Sequence, residues 1–356
     1  MMDKRRKTQA IILIALNLGF FLALDYFSPM PVVFDEPEDP PSFRVEYESH
    51  VMRKWEFFLI YPSEILFDTF NPIQELIEGK EYGEFIRYEV EFLEEIYDEE
   101  TFGETVQAAA SMDVRMIIGG YSENSILETR DYLEQENIIL ISPILSVDRE
   151  LIESNWVISL QPNSTMKARL YSELLDEEKL GSLMVLSNSS IAGNMVDFSK
   201  VTEVIVLKNL SELGESLEQV DQNMKIGIFT EKTSTLGDLR DLDSHNITVY
   251  CEKPDMKLNV TTKVFEPVSS APERFDEFKE IYANLTGKYP TYTEALLYDA
   301  CRICPMIIEK TRYRPWDNPD AIWDALKTLE GATGNCTLTA NGDRMYQKYI
   351  LINADG

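Results

Sequence analysis

The stretch from Val114 to Ser146 constrains the fold more than any other part of the chain. Val114-Arg-Met-Ile-Ile118 is a short apolar run that ends on Gly119-Gly120. A polar loop, Tyr121-Ser-Glu-Asn-Ser125, leads into a helical pattern from Ile126 to Gln135 with Ile126, Leu127, Tyr132 and Leu133 on one face. A second apolar run, Ile138 to Ser142, closes on Pro143. Strand, loop, helix, strand is a βαβ crossover, and runs this apolar suit parallel strands buried on both faces. In such sheets the loops leaving the carboxyl ends of strands carry the ligand groups. Here those loops hold Ser122, Glu123, Asn124, Ser125, Ser142 and Ser146.

The same alternation extends along the chain. Strands are predicted at Trp55–Tyr61, Phe85–Phe92, Val114–Ile118, Ile138–Ser142 and Trp156–Leu160, with helices at Asn71–Glu78 and Glu100–Met112. A second series follows Leu180, with strands at Ser182–Leu186, Glu203–Leu207, Lys225–Phe229 and Ile247–Cys251. Its helices are Ile191–Lys200, Leu213–Val220 and Thr235–Leu242. Two successive runs of βα units predict an α/β protein with two doubly wound parallel-sheet lobes. The tail adds long helical patterns at Ala271–Leu285 and Thr293–Lys310, a further one at Asp320–Leu329, and extended runs at Cys336–Thr339 and Tyr349–Ile352. Pro305 is expected to kink the second of these helices after Arg302.

The N-terminus has a different character. Lys4-Arg-Arg-Lys7 precedes the apolar run from Ala10 to Leu24, and positive charge stays on the cytoplasmic side, so the remainder faces outward. Fifteen helical residues rise about 22 Å, short of the ~30 Å hydrocarbon core. Counting Asp25-Tyr-Phe27 and letting Lys7 snorkel closes the gap. Two readings fit this segment: an uncleaved anchor, or a signal peptide. Phe21-Leu-Ala-Leu-Asp25 is a poor cleavage site, which favours the anchor over residues 1–27. Residues 28–54 hold Pro29, Pro31, Pro37, Pro40 and Pro41 among acidic residues, a stiff solvated spacer that lifts a domain off the membrane.

Composition excludes several functions. With 33 basic against 62 acidic residues the net charge is −29, so no basic surface is expected to neutralise nucleic-acid phosphates. Only His50 and His245 occur, which argues against histidine acid–base chemistry and histidine metal sites. The chain carries no nucleotide-binding glycine loop, zinc-protease motif or nucleophile elbow. It reads as a non-enzyme without cofactor or metal.

Seven Asn-x-Ser/Thr sequons occur, at Asn163, Asn188, Asn209, Asn246, Asn259, Asn284 and Asn335. The 17 asparagines would give about two by chance. The excess fits an outward-facing, glycosylated protein, and loops rich in these residue types are the competing explanation. The four cysteines are Cys251, Cys301, Cys304 and Cys336. Cys301-Arg-Ile-Cys304 lies inside a helical pattern, where small core residues are expected, and pairing into two disulfides in an oxidising exterior is the alternative.

Several segments, in this order, resemble the solute-binding proteins of branched-chain amino-acid ABC importers, which have the type I periplasmic-binding-protein fold. Ile117-Ile-Gly-Gly120 through Ile141-Ser-Pro143 is similar to the family's strand, Ser/Thr loop, helix and Ile-Ser-Pro. Val157-Ile-Ser-Leu-Gln-Pro162 resembles the first hinge crossing and Val260–Pro267 the second. Tyr289-Pro290, Tyr292 and Ala295-Leu-Leu-Tyr-Asp-Ala300 resemble its Pro-led helix, and Gly331-Ala-Thr-Gly334 with Asn341-Gly-Asp343 its ending.

The resemblance implies two lobes joined by a multi-strand hinge. Lobe 1 would be residues 55–161 plus 265–335, and lobe 2 residues 162–264 plus 336–356. It also implies a small-molecule ligand between the lobes, with a Ser/Thr pair on the ligand carboxylate and an acidic residue on its ammonium, and an ABC permease as partner. The implied ligand set is Tyr121, Ser122, Glu123, Asn124, Ser146, Asn188, Thr230 and Glu252, with Asp255 an alternative to Glu252. Ser146 falls on the family's ligand threonine, while Glu123 stands at a usual serine. In lobe 2, Ser187-Asn-Ser-Ser-Ile-Ala-Gly193 replaces an Asp-rich loop, and Thr230-Glu-Lys232 stands where an aromatic contact is common. The resulting expectation is a cell-surface solute-binding protein, N-terminally anchored or secreted if the signal is cleaved. A sensory or structural surface protein with an altered cleft is the alternative.

Overall fold

The computed structural model describes residues 53–61, 71–78, 80, 82, 88–145, 154, 156–186, 190–201, 203–209, 211–221, 223–236, 246–310, 329–338, 344 and 347–354. The expected anchor, nearly all of the spacer, Ser146, Asn188 and the helical pattern from Asp320 lie outside the described residues. Among the described residues no helix is long and apolar enough to cross a membrane.

The first sheet is wholly parallel. It contains β1 (Arg53–Tyr61), β2 (Tyr88–Ile96), β3 (Met116–Ile118), β4 (Ile139–Ser142) and β5 (Val157–Ser159), in the order β2-β1-β3-β4-β5. The helices α1 (Phe102–Ser111) and α2 (Glu123–Glu136) connect its strands. The apolar runs at Met116–Ile118 and Ile139–Ser142 are buried along their whole length, as the unbroken hydrophobicity requires of central parallel strands. Asn137, in the left-handed region at φ 55, ends α2 and turns the chain into β4.

Of the strand expected at Phe85–Phe92 the described part begins at Tyr88, and it runs on to Ile96. It is an edge strand in register with β1 over its full length, from Arg53 opposite Tyr88 to Tyr61 opposite Ile96. Tyr88, Val90 and Phe92 are buried while the intervening glutamates are half-buried, so its pattern alternates where the central strands are uniformly apolar. The acidic Glu94-Glu95 looks like a strand terminus in sequence but lies within the pairing.

The second sheet repeats the plan. Its elements are α3 (Ser164–Glu177), β6 (Ser182–Leu186), α4 (Ser190–Phe198), β7 (Glu203–Leu207), α5 (Ser211–Gln219), β8 (Ile226–Lys232), β9 (Ile247–Lys253) and β10 (Thr261–Val268). After the helices α6 (Pro272–Thr286) and α7 (Tyr292–Lys310) and the short pair β11 (Glu330–Gly331) and β12 (Gly334–Asn335), β13 (Lys348–Asn353) returns to it. The strand order is β7-β6-β8-β9-β10-β13, with β13 antiparallel to β10 and the rest parallel. Of the helix expected over Thr235–Leu242 only Thr235 and Leu236 are described, and they belong to a 3-10 turn, Thr233–Leu236. The strand β10 runs on to Val268, so the chain leaves this sheet there and not at Phe265.

The apolar faces form separate cores. One gathers the first sheet with α7, whose Ala295, Leu296, Leu297, Ala300, Ile303 and Ile307 are almost fully buried. The other two lie on opposite faces of the second sheet, Tyr171, Phe229, Tyr250 and Phe265 under α3, and Leu213 and Leu217 of α5 on the reverse side. The helix α7 is continuous from Tyr292 to Lys310 with Pro305 inside it, and the Pro305 carbonyl accepts a hydrogen bond from Tyr88 Oη at 2.9 Å. The four cysteines are buried free thiols, which sets aside the disulfide alternative.

The crossings between the sheets converge on the turn joining β11 to β12. Asp299, fully buried on α7, accepts from Ala332 N (2.6 Å), Thr333 N (2.9 Å) and Thr333 Oγ1 (2.5 Å). Ser269 and Ser270, just after β10, bind the Ala332 and Thr333 carbonyls. Arg344 is 1% exposed and donates to the carbonyls of Leu160, Thr333 and Asn335. One turn thereby ties together the chain leaving β5, the chain leaving β10 and the chain approaching β13.

Candidate functional site

Strand order locates the site before any side chain is considered. In each sheet the connections reverse direction once, between β1 and β3 in the first and between β6 and β8 in the second. At such a reversal the loops after neighbouring strands diverge and leave a crevice beyond the carboxyl ends, where ligands bind in open α/β sheets. The loop Gly119–Asn124 leaves β3 at the first reversal. The segment 187–189, which includes Asn188, leaves β6 at the second and lies outside the described residues.

The loop after β3 has this path because of two glycines. A Cβ at Gly119 would stand 2.8 Å from Ile60 Cβ, and Gly120 has φ +81, where a side chain is strained. The chain therefore turns sharply over β1 and presents Tyr121 and Ser122 at the crevice. Tyr121 Oη donates to the Ile60 carbonyl at 2.7 Å, and its ring packs edge-on against Tyr97. Burial pushes its phenol well above the ordinary value, so it remains a donor. Ser142, at the end of β4, donates to the Gly120 carbonyl at 2.7 Å and fixes the loop from the other side.

Ser122 precedes α2 in extended conformation, but its hydroxyl does not cap that helix. It donates instead to Glu99 Oε1 at 2.5 Å. Glu99 belongs to the run Tyr97-Asp98-Glu99-Glu100 that follows β2. Tyr97 from the same run shares a 2.6 Å hydrogen bond with Ser125 Oγ. Glu123 is half-buried and Asn124 is exposed. The structure thus brings Tyr121, Ser122, Glu123, Asn124 and Ser125 together with Tyr97 and Glu99, which sequence reasoning missed. The missed group follows from the late end of β2, because the Tyr-Asp-Glu-Glu run becomes a strand-end loop only once the strand reaches Ile96.

In the second sheet Thr230 and Glu252 lie on neighbouring paired strands, with Thr230 opposite Cys251. Thr230 is 1% exposed and its hydroxyl donates to the Lys232 carbonyl at 3.0 Å. Glu252 Oε1 already receives Lys167 Nζ at 3.2 Å and Tyr171 Oη at 2.6 Å, both from α3. The expected ammonium partner therefore holds a cation of its own chain. Asp255 caps the 3-10 turn, accepting from Ser234 N and Oγ and from Thr233 Oγ1. Those bonds, led by the Ser234 hydroxyl, hold its carboxyl down at about 2.

No cysteine among the described residues is activated as a nucleophile. Desolvation pushes the Cys251 thiol up to about 12 and the Cys336 thiol up to about 11. Among the described residues no group of His, Cys, Asp and Glu could hold a metal ion. A cavity of about 500 Å³ lies between α6, α7 and the end of β11, lined by Arg274, Glu277, Tyr298, Arg302, Glu330 and Ala332.

No protein-family model matches the chain, and no curated protein matches it by sequence. Solved structures do share its fold. An ABC transporter substrate-binding protein from Desulfitobacterium hafniense in complex with Leu is 17% identical, with a TM-score of 0.65 over 85% of this chain and 97% of that one. A leucine-binding protein from Thermotoga maritima is 14% identical, with a TM-score of 0.59 over 85% and 99%. A solute-binding protein of an ABC transporter from R. palustris, in complex with 4-hydroxybenzoate, is 12% identical, with a TM-score of 0.62 over 84% and 92%. The fold is the type I periplasmic-binding-protein fold that the sequence resemblance implies.

Proposed function

We propose that this chain, built on the fold of the ABC-importer solute-binding proteins, captures a small polar ligand between two lobes and delivers it to an ABC permease. The lobes are residues 55–161 with 269–335 and 162–268 with 336–356, the boundary at 265 moved to the end of β10. They close about the hinge without covalent chemistry. The N-terminal segment anchors the protein at the outer face of the membrane, and several sequons of the outward-facing domain carry glycans.

The observation that carries this reading is the repetition of one strand order in both sheets, with polar residues following the strand at each reversal in the sequence. Tyr121, Ser122, Glu123 and Asn124 line the first edge, and Ser146 and Asn188 follow β4 and β6 in the sequence. The neighbours hold leucine and 4-hydroxybenzoate, both carboxylates. Here Glu99 lies on Ser122 and Glu123 begins α2, so two carboxylates already stand where a ligand carboxylate would approach. A like charge there is repelled, which selects neutral or cationic ligands such as amides and amines.

A sensory or structural surface protein with an altered cleft is the second reading. It is favoured by the internal pairing of Tyr121, Ser122, Thr230 and Glu252, four of the expected ligand contacts. Titration calorimetry with leucine, 4-hydroxybenzoate, neutral amides and diamines separates the two. Binding of an amide or amine supports capture, and heat from none of them supports the surface role.

A further inference from the structure

The sequons differ in what the fold does with each asparagine. Asn163 is half-buried at the start of α3, where its Oδ1 accepts from Met166 N at 2.8 Å and caps the helix. Asn209, Asn246, Asn259, Asn284 and Asn335 are all exposed. Asn209 follows the edge strand β7, and Asn246 and Asn259 precede β9 and β10. Asn284 is on the last turn of α6, and Asn335 is in β12.

Two of these, far apart in sequence, share one local geometry. Asn209 Oδ1 accepts from Ser211 N at 3.0 Å and from Ser211 Oγ. Asn335 Oδ1 accepts from Thr337 N at 2.8 Å and from Thr337 Oγ1. In both, the sequon's own hydroxyl residue holds the amide oxygen, and at Asn209 the amide nitrogen also reaches Glu212 Oε1 at 3.4 Å. The backbone of Asn335 is clamped as well, its N–H on Ser270 Oγ and its carbonyl on Arg344. A group added to Nδ2 there would disturb none of these bonds.

We propose that Asn209, Asn246, Asn259, Asn284 and Asn335 carry N-linked oligosaccharide and that Asn163 remains bare. The step joins the anomeric carbon of a lipid-linked oligosaccharide to Asn Nδ2. The nitrogen loses one proton, and the lipid phosphate leaves the anomeric carbon, with no change of oxidation state. Two of the sites adjoin apolar groups that the fold leaves in water. Val206 of β7 is 43% exposed beside Asn209, and Ile281 and Leu285 are 40% and 46% exposed around Asn284. Sugar at these positions would cover an unpaired sheet edge and part of a helix face that invite association.

The inference rests on the outward orientation proposed above, so the test reads the two separately. Intact native cells are labelled with an impermeant amine reagent, and the purified protein is then digested for glycopeptide mass spectrometry. Expected are surface label, sugar on the five named asparagines and an unmodified Asn163 peptide. In the native host, Thr337→Ala should remove the sugar from Asn335 while Thr337→Ser retains it. Surface label with bare Asn209 and Asn335 overturns the inference and leaves the orientation standing. Sugar on Asn163 overturns it equally. Absence of both label and sugar overturns the orientation and the inference together.

Discussion

Asp299 on α7 and Thr333 in the turn between β11 and β12 are joined twice, Asp299 Oδ2 accepting from Thr333 N at 2.9 Å and from Thr333 Oγ1 at 2.5 Å. Burial raises the Asp299 carboxyl above its ordinary value, and these donors pull it back. Thr333→Val keeps the shape and removes one donor to a buried carboxyl. A hydrogen bond to a charged group contributes about 1.5–3 kcal/mol, and urea unfolding of Thr333→Val should show a loss in that range. An unchanged midpoint would show that the hydroxyl is not part of the clamp.

The same clamp explains Gly331. A Cβ at that position would stand 2.2 Å from the Asp299 carboxyl carbon, too close for either group to remain in place. Gly331→Ala should therefore destabilise the chain by about as much as overpacking a core, roughly 1–3 kcal/mol. Gly193→Ala, where a Cβ meets nothing, is the matched control.

Acid sensitivity should centre on Glu178. Burial alone would raise its carboxyl, but Lys225 at 2.8 Å and Lys263 at 2.7 Å outweigh burial and hold it at about 2. Because the folded value lies below the ordinary 4.5, the stabilisation is fully present above that pH. It is lost as pH falls from there through about 2. Glu178→Gln should flatten the acid limb of a plot of stability against pH, and an unchanged limb would assign it to other carboxylates.

Thiol chemistry gives a direct count. All four cysteines are buried and free, with their pKa values raised by desolvation. A thiol-specific chromogenic reagent should find no fast-reacting group in the native protein and four after unfolding without reductant. Two or none after unfolding would mean that disulfides form.

Specificity should respond to Glu99. If its carboxylate on Ser122 excludes ligand carboxylates, Glu99→Ala should improve binding of leucine or 4-hydroxybenzoate by at least about 10-fold, equivalent to 1.4 kcal/mol. Ser146→Ala should weaken the natural ligand about 10- to 100-fold, as loss of a hydrogen bond to a charged group does. Calorimetry on the two variants reads both effects, and equal leucine affinity with and without Glu99 would remove its role in selection.

How much was legible can be argued from particular residues. The apolar runs at Met116–Ile118 and Ile139–Ser142 could only be central parallel strands, because an edge or one-sided strand would alternate. Ser182–Leu186 and Glu203–Leu207 were delimited to the residue by their flanking polar segments. Edge strand β2 was misplaced for the converse reason, since its glutamates satisfy an exposed face and imitate a loop. The interior fate of Cys301 and Cys304 was also readable, from their spacing on a helix that is apolar nearly all round.

The sequence by itself determined the order of elements, the two βα series and which side chains were polar enough to await a partner. Its local periodicity reports which face of each element is apolar and so must be covered, and that pattern is written in each element alone. Which polar groups found each other was decided only by the tertiary structure. Ser122 meets Glu99 and Glu252 meets Lys167 across 23 and 85 residues of chain. Such pairs form because strand register and helix packing bring distant loops within hydrogen-bond reach, and no local pattern encodes that distance. The same packing gathers Asp299, Thr333 and Arg344 at one turn, where the crossings between the two sheets meet.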